Sequence, residues 1–272
     1  MHGVRAIVSA GVTARLGLAV VATAMVLAAQ NADAGGYCEF SRELGAQMDL
    51  NGITSVEVLA VSGDLMIRGD ANIRDVSAEG TACVEKRYRD RLDEFRIVEE
   101  RDGSKLRIIA YVPYRNDDED WRVGGLDLTI VLPDSLPLDV ADSSGDIRIE
   151  AVHSLVLNDS SGDIILDSIQ GDILIERDSS GDIDIRRASN VHIKVDSSGD
   201  IDVRDAMTVH VGKDSSGSIH ARDITGDVMV GADSSGEIVV TNVGGNFTVE
   251  HDGSGAIRHR QVAGTVRIPR DY

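Results

Sequence analysis

The sequence predicts an all-β protein built as a parallel β-helix (a solenoid) of about 18 residues per coil, preceded by a less regular β-rich cap. Three observations carry this. First, Asp-Ser-Ser-Gly begins at Asp142, Asp159, Asp178, Asp196, Asp214 and Asp233, and returns as Asp252-Gly253-Ser254-Gly255. The spacings are 17, 19, 18, 18, 19 and 19 residues. Second, the register is strict: three residues after each Asp stand Gly145, Gly162, Gly181, Gly199, Gly217, Gly236 and Gly255, and five after it stands Ile in all seven copies. Third, Phe247 is the only aromatic residue between Arg122 and Asp271. A slim aliphatic core, shared by stacked coils, has no room for rings.

In chain order, the first element is an export leader over residues 1–34. Arg5 and Arg15 give a positive start, Leu16 to Ala29 is apolar or small throughout, and Ala32-Asp33-Ala34 fits a small-x-small cleavage site. The apolar run is too short to span a bilayer, so no membrane span is expected after cleavage. Cleavage leaves a mature chain starting at Gly35 with 25 basic and 45 acidic residues, since Arg5, Arg15 and Asp33 leave with the leader.

The second element, residues 35–133, is the expected cap with the first irregular coils. Val61-Ser62-Gly63-Asp64-Leu65-Met66-Ile67 is a degenerate copy of the corner and its strand. Phe95 to Val98 and Leu106 to Val112 read as strands around an Asp102-Gly103 turn, and Asn116 to Asp120 as an acidic loop. A bare solenoid end exposes unpaired strand edges, which an atypical terminal segment must cover. Cys38 and Cys83 are the only cysteines. Export permits a disulfide between them, which would close a 45-residue separation and stabilise by about 4 kcal/mol on the chain-entropy account. Two buried free thiols remain the alternative.

The third element, residues 134–272, is the regular β-helix with seven Asp-Ser-Ser-Gly coils. Alternating pairs such as Ile183/Ile185 and Val191/Ile193 mark short strands with one buried face. Like residues stack on like when each strand pairs in parallel with its copy in the next coil, about 4.8 Å away. The corner glycines are expected at positive φ or at a close backbone approach, with Asp and Ser side chains satisfying turn amides and Ser hydroxyls bonding from coil to coil.

For function the sequence mainly excludes. A net charge of −19 without a basic stripe rules out nucleic-acid binding. Two acid columns, one from Asp142 to Asp252 and one at Asp146, Asp163, Asp182 and Asp200, raise calcium, but the pattern is not the glycine-rich nonapeptide of calcium-binding β-rolls. His192 and His210 fall at the same position of adjacent coils and are expected to form an exposed pair without a third metal ligand. Arg186, Arg204 and Arg222 stack and are expected to neutralise acids such as Asp184 and Asp202. No nucleophile elbow or phosphate loop is present, and the repeat offers no Trp or Tyr platform for sugar.

The Leu128 to Pro133 strand, followed by repeated Ser-Gly-Asp-Ile with alternating Ile and Val, resembles the bacterial "putative adhesin" β-strand-repeat family of exported cell-envelope proteins. The resemblance covers roughly Val56 to Ile268 and implies a right-handed β-helix; the family has no firmly assigned chemistry. The expectation is therefore a non-catalytic exported protein of the bacterial periplasm or cell surface, without cofactor or metal. It would serve as an envelope scaffold or interaction surface whose partner is an envelope protein or glycan. The alternatives are a surface adhesin binding a glycan or protein, and a polysaccharide-active β-helix enzyme.

Overall fold

A computed structural model describes residues 38–115 and 118–269; the expected leader over 1–34 lies outside them. In chain order the elements are β1 (Phe40–Met48), β2 (Ser55–Leu59), β3 (Leu65–Gly69) and β4 (Val76–Val84), then a run of 3₁₀ turns over Lys86–Glu94. There follow β5 (Arg96–Asp102), β6 (Lys105–Tyr111), β7 (Tyr114–Arg115), β8 (Asp118–Arg122), β9 (Gly124–Leu132), β10 (Pro137–Ala141) and β11 (Ile147–Glu150). The same pattern of strand, bend and strand then recurs to Arg267. Twenty strands form one sheet, and the β7–β8 hairpin stands apart. Part of the stretch expected as an acidic loop is thus strand: β8 pairs antiparallel with β7.

The parallel stacking follows the sequence register. Ile147 faces Ile164, and the column continues through Ile183, Ile201, Ile219, Ile238 and Ile257. A second column runs Leu155, Ile173, Val191, Val209, Val228, Phe247 and Val266. Each coil therefore bears strands on two sides, and the Asp-Ser-Ser-Gly segment closes the third. The first six isoleucines are at most 1% exposed. Burying each contributes about 1.5–3 kcal/mol, which makes these columns the main source of stability. Ile257, in the last coil, is half-buried because no further coil lies over it among the described residues.

Chain order and spatial order part company near the cap. The coil formed by β2 and β3 sits between one formed by β6 and β9 and one formed by β10 and β11. The chain thus builds a coil, leaves it, builds the coil on its far side, and returns. Beyond the outer coil, β4 adds antiparallel to β9 and β1 antiparallel to β4, and β5 adds antiparallel to β6. Antiparallel strands and the 3₁₀ segment cover the end that stacking alone would leave open.

Two backbone features shape every coil. The corner glycines Gly63, Gly145, Gly162, Gly181, Gly199, Gly217, Gly236 and Gly255 all have positive φ, 125° at Gly199. Six residues further on, a second bend places Ala151, Ser168, Arg187, Asp205, Asp223, Asn242 and Gln261 at φ of 52–59°. Coil length varies at a third place. The 19-residue coils carry Gly171, Gly226 or Gly245 in a break between strands, whereas the 18-residue coils run as unbroken strands, Ile183–Val195 and Ile201–Asp214.

Candidate interaction surface

The Asp-Ser-Ser-Gly corner forms one long edge of the solenoid, and most of its polar groups bond between coils. At the second serine the hydroxyl donates to the backbone of the coil before it: Ser161 Oγ to the Ser143 carbonyl at 3.1 Å, Ser198 to Ser179 at 3.0 Å, Ser216 to Ser197 at 3.1 Å. The outer acid column works likewise. The carboxylates of Asp146, Asp163 and Asp182 accept the amides of Asp163, Asp182 and Asp200 at 2.8–3.0 Å, and Asp200 accepts the amide of Ser218 at 2.7 Å. These side chains are exposed, but each is occupied by its neighbour coil.

The first Asp of each corner faces the amides of the two serines that follow it, as the sequence predicts, and it is buried as well. Asp142, Asp159, Asp178, Asp196, Asp214 and Asp233 are 0–6% exposed. The Ser216 amide donates to Asp214 at 3.2 Å and the Ser235 amide to Asp233 at 3.1 Å. At Asp142, Asp159, Asp178 and Asp196 the amides of the two following serines face the carboxylate at looser geometry and oppose the effect of burial. Burial pushes Asp142 and Asp196 up to about 7 and Asp178 and Asp214 up to about 6. It raises Asp159 and Asp233 as well. The seventh, Asp252, is half-buried.

The strand faces carry charge ladders that neutralise themselves. Arg186 bonds Asp184 and Arg204 bonds Asp202 within the strand, Arg187 reaches Asp167 in the preceding coil, and Lys194 reaches Glu176 at 2.7 Å. The hydrogen bond from Arg204 holds Asp202 below the usual carboxylate range. His192 and His210 stack face to face with centroids 4.5 Å apart, and burial lowers His192. Among the described residues no three His, Cys, Asp or Glu side chains gather as a metal site.

At the cap, Cys38 and Cys83 are bonded, with Cα atoms 5.3 Å apart. An open groove of about 400 Å³ crosses the outer face of the first coils, lined by Glu43, Glu79, Thr81, Asp127, Met66 and Arg148 among others. The Thr81 hydroxyl donates to Glu43 at 3.1 Å, and Met66 is 39% exposed. No helix among the described residues is long and apolar enough to cross a membrane.

No family model and no curated protein matches this chain. Solved structures do. A "putative adhesin" from Parabacteroides distasonis is similar at 12% identity and a TM-score of 0.41, over 83% of this chain and 96% of that one. A "putative cell adhesion protein" from Clostridium sporogenes is similar at 12% identity and a TM-score of 0.36, over 81% and 99%. A "putative lipid binding protein", also from Parabacteroides distasonis, reaches 18% identity and a TM-score of 0.40, over 84% and 97%.

Proposed function

We propose that this chain is a non-catalytic exported protein whose solenoid serves as a scaffold or interaction surface in the bacterial envelope, toward an envelope protein or a glycan. One observation supports this above the others: the polar residues that the repeat supplies are consumed in holding coil to coil. Corner serines bond the carbonyls of the preceding coil, outer aspartates bond the amides of the next, and Arg186 and Arg204 pair within their strands. A catalytic carboxylate pair needs two acids held apart from such partners and facing one substrate. A repeated lattice without a distinct site favours a surface that binds along its length. Residues 1–34 support export, because a short apolar run before a small-x-small site is a leader.

Cell fractionation of the native host, followed by mass spectrometry, tests export. The expected result is a chain starting at Gly35 in the periplasmic or surface fraction. A cytoplasmic chain retaining residues 1–34 would refute it. Incubation of the purified chain with envelope polysaccharides tests the rest: release of new reducing or unsaturated ends would establish an enzyme and overturn the non-catalytic reading.

A further inference from the structure

The acids of the inner column carry a burial cost that the amides of the following serines offset only in part, since their pKa values stay raised. Six carboxyl groups lie in one line inside a solenoid, each stacked on the next. The amide of Asp142 donates to the Asn158 carbonyl, that of Asp159 to Arg177, that of Asp178 to Val195 and that of Asp196 to Lys213, so each Asp sits directly over the next. Asp214 and Asp233 continue the line in strand register. The spacing is that of paired strands, about 4.8 Å. The charged groups that act most strongly on the column are other acids: its own neighbours, with Asp64, Asp146 and Asp163 from the outer column and Asp252 at the end. Among the described residues none of the six forms an ion pair with Lys, Arg or His. Buried anions at such spacing without a countercharge cannot all stay ionised. A protonated carboxyl, by contrast, can donate its O–H to the carboxylate stacked on it one strand spacing away.

We propose that Asp142, Asp159, Asp178, Asp196, Asp214 and Asp233 form a proton-sharing ladder that makes the solenoid most stable in mild acid and loosens it above neutral pH. The protons come from water as the chain folds and return to water when the ladder ionises. The inference is independent of the surface reading above and fails separately from it.

The sign follows from linkage. The folded-state values of these groups are raised above the ordinary 3.8, so their stabilisation is complete below that value. It is lost as pH rises through about 6 to 7, where the ladder gives up its protons. The titrating histidine on the strand face works the other way. His192 is lowered by burial, with His210 and Lys194 adding to it, so its contribution grows as pH rises. The part of any decline between pH 5 and 8.5 that the loss of two column acids abolishes belongs to the ladder.

Urea unfolding of the full exported chain at pH 5, 7 and 8.5 tests this. The midpoint is expected to fall at each step and to recover on return to pH 5. The double variant Asp178→Asn/Asp196→Asn should flatten that profile and match or exceed the wild-type midpoint at pH 8.5. A wild-type midpoint that stays level or rises, or a double variant that keeps the full slope, would overturn the proposal. Infrared spectroscopy of the wild type covers the case of a variant that does not fold. The carbonyl band of protonated carboxylic acid should be present at pH 6 and vanish by pH 8.5. Its absence at pH 6, or a pH 6 midpoint that drops on chelation with EDTA, would show that protons do not neutralise the column and would overturn the ladder.

Discussion

Replacing Gly199 by Ala separates two demands that the corner makes on its glycine. Gly199 has φ of 125°, a region that residues with a side chain seldom enter, at about 1–3 kcal/mol. A Cβ at Gly199 would also lie 1.8 Å from the Gly181 carbonyl oxygen and 2.6 Å from its carbonyl carbon, in the coil before. That neighbour is backbone and cannot rotate away, so the two coils must part. Overpacking of this kind costs about 1–3 kcal/mol more. The sum is about 2–6 kcal/mol, and the damage should spread to the amide of Gly181, which donates to Ser198 at 3.2 Å.

Two other glycines calibrate the measurement. Gly103, in the β5–β6 turn, has φ of 60° but nothing within 4 Å of the new Cβ, so Gly103→Ala should cost only the strain, about 1 kcal/mol. Gly45, in β1, has neither feature, and Gly45→Ala should be near neutral or slightly stabilising, as strand glycines are weak. Urea melts of the three variants give the order directly. Hydrogen exchange localises the effect, with lost protection at Gly181, Ile183 and Ile201 and none at Phe95. If Gly199→Ala costs no more than Gly103→Ala, the close approach between coils is not a real constraint, and the stacking argument fails with it.

Further outcomes follow from the same geometry. Ile201→Ala, at a fully buried site in the central coils, should cost about 2–5 kcal/mol in urea melts; a loss under about 0.5 kcal/mol would mean that the column does not face the core. Arg187→Gly should relieve the positive φ at the second bend, at about 1–2 kcal/mol, against a glycine entropy cost of about 0.5–1 kcal/mol. The net gain should be small, and a clear loss would assign Arg187 a larger role through its pair with Asp167. Reduction of the Cys38–Cys83 bridge should lower stability by about 4 kcal/mol on the chain-entropy account, and exported protein with two alkylatable thiols before reduction would show the bridge does not form in the cell.

The columns were readable because stacking turns a local preference into a repeated one. Ile at one position in seven successive coils has no explanation other than like on like, and Gly63 already announced that the stack begins near residue 55. The second bend was not readable. Ala151, Ser168, Arg187, Asp205, Asp223, Asn242 and Gln261 share no side-chain property, because the requirement falls on backbone alone. The signal that did exist lay in Asp205, Asp223 and Asn242, types that tolerate left-handed backbone better than most. Nor does any period reveal that β2 and β3 are enclosed by later residues, since pairing order near the cap is set by tertiary fit.

That the inner acids are buried is not legible in any single corner, because Asp-Ser-Ser-Gly has the composition of a turn. Yet the two acid positions of the corner behave differently along the chain. The outer one drifts from Asp200 to Ser218, Glu237 and Ala256, as a solvated position can. The inner one stays Asp through seven coils without one exchange for Asn or Ser, although either would cap a turn as well. An amide or hydroxyl in that place would avoid the cost of a buried charge, so turn capping alone does not explain the invariance. What Asp has and Asn lacks is a proton that it can release and recover. The invariant acid within a variable corner is therefore the sequence-level trace of the ladder, and it is visible only when the repeat is compared with itself.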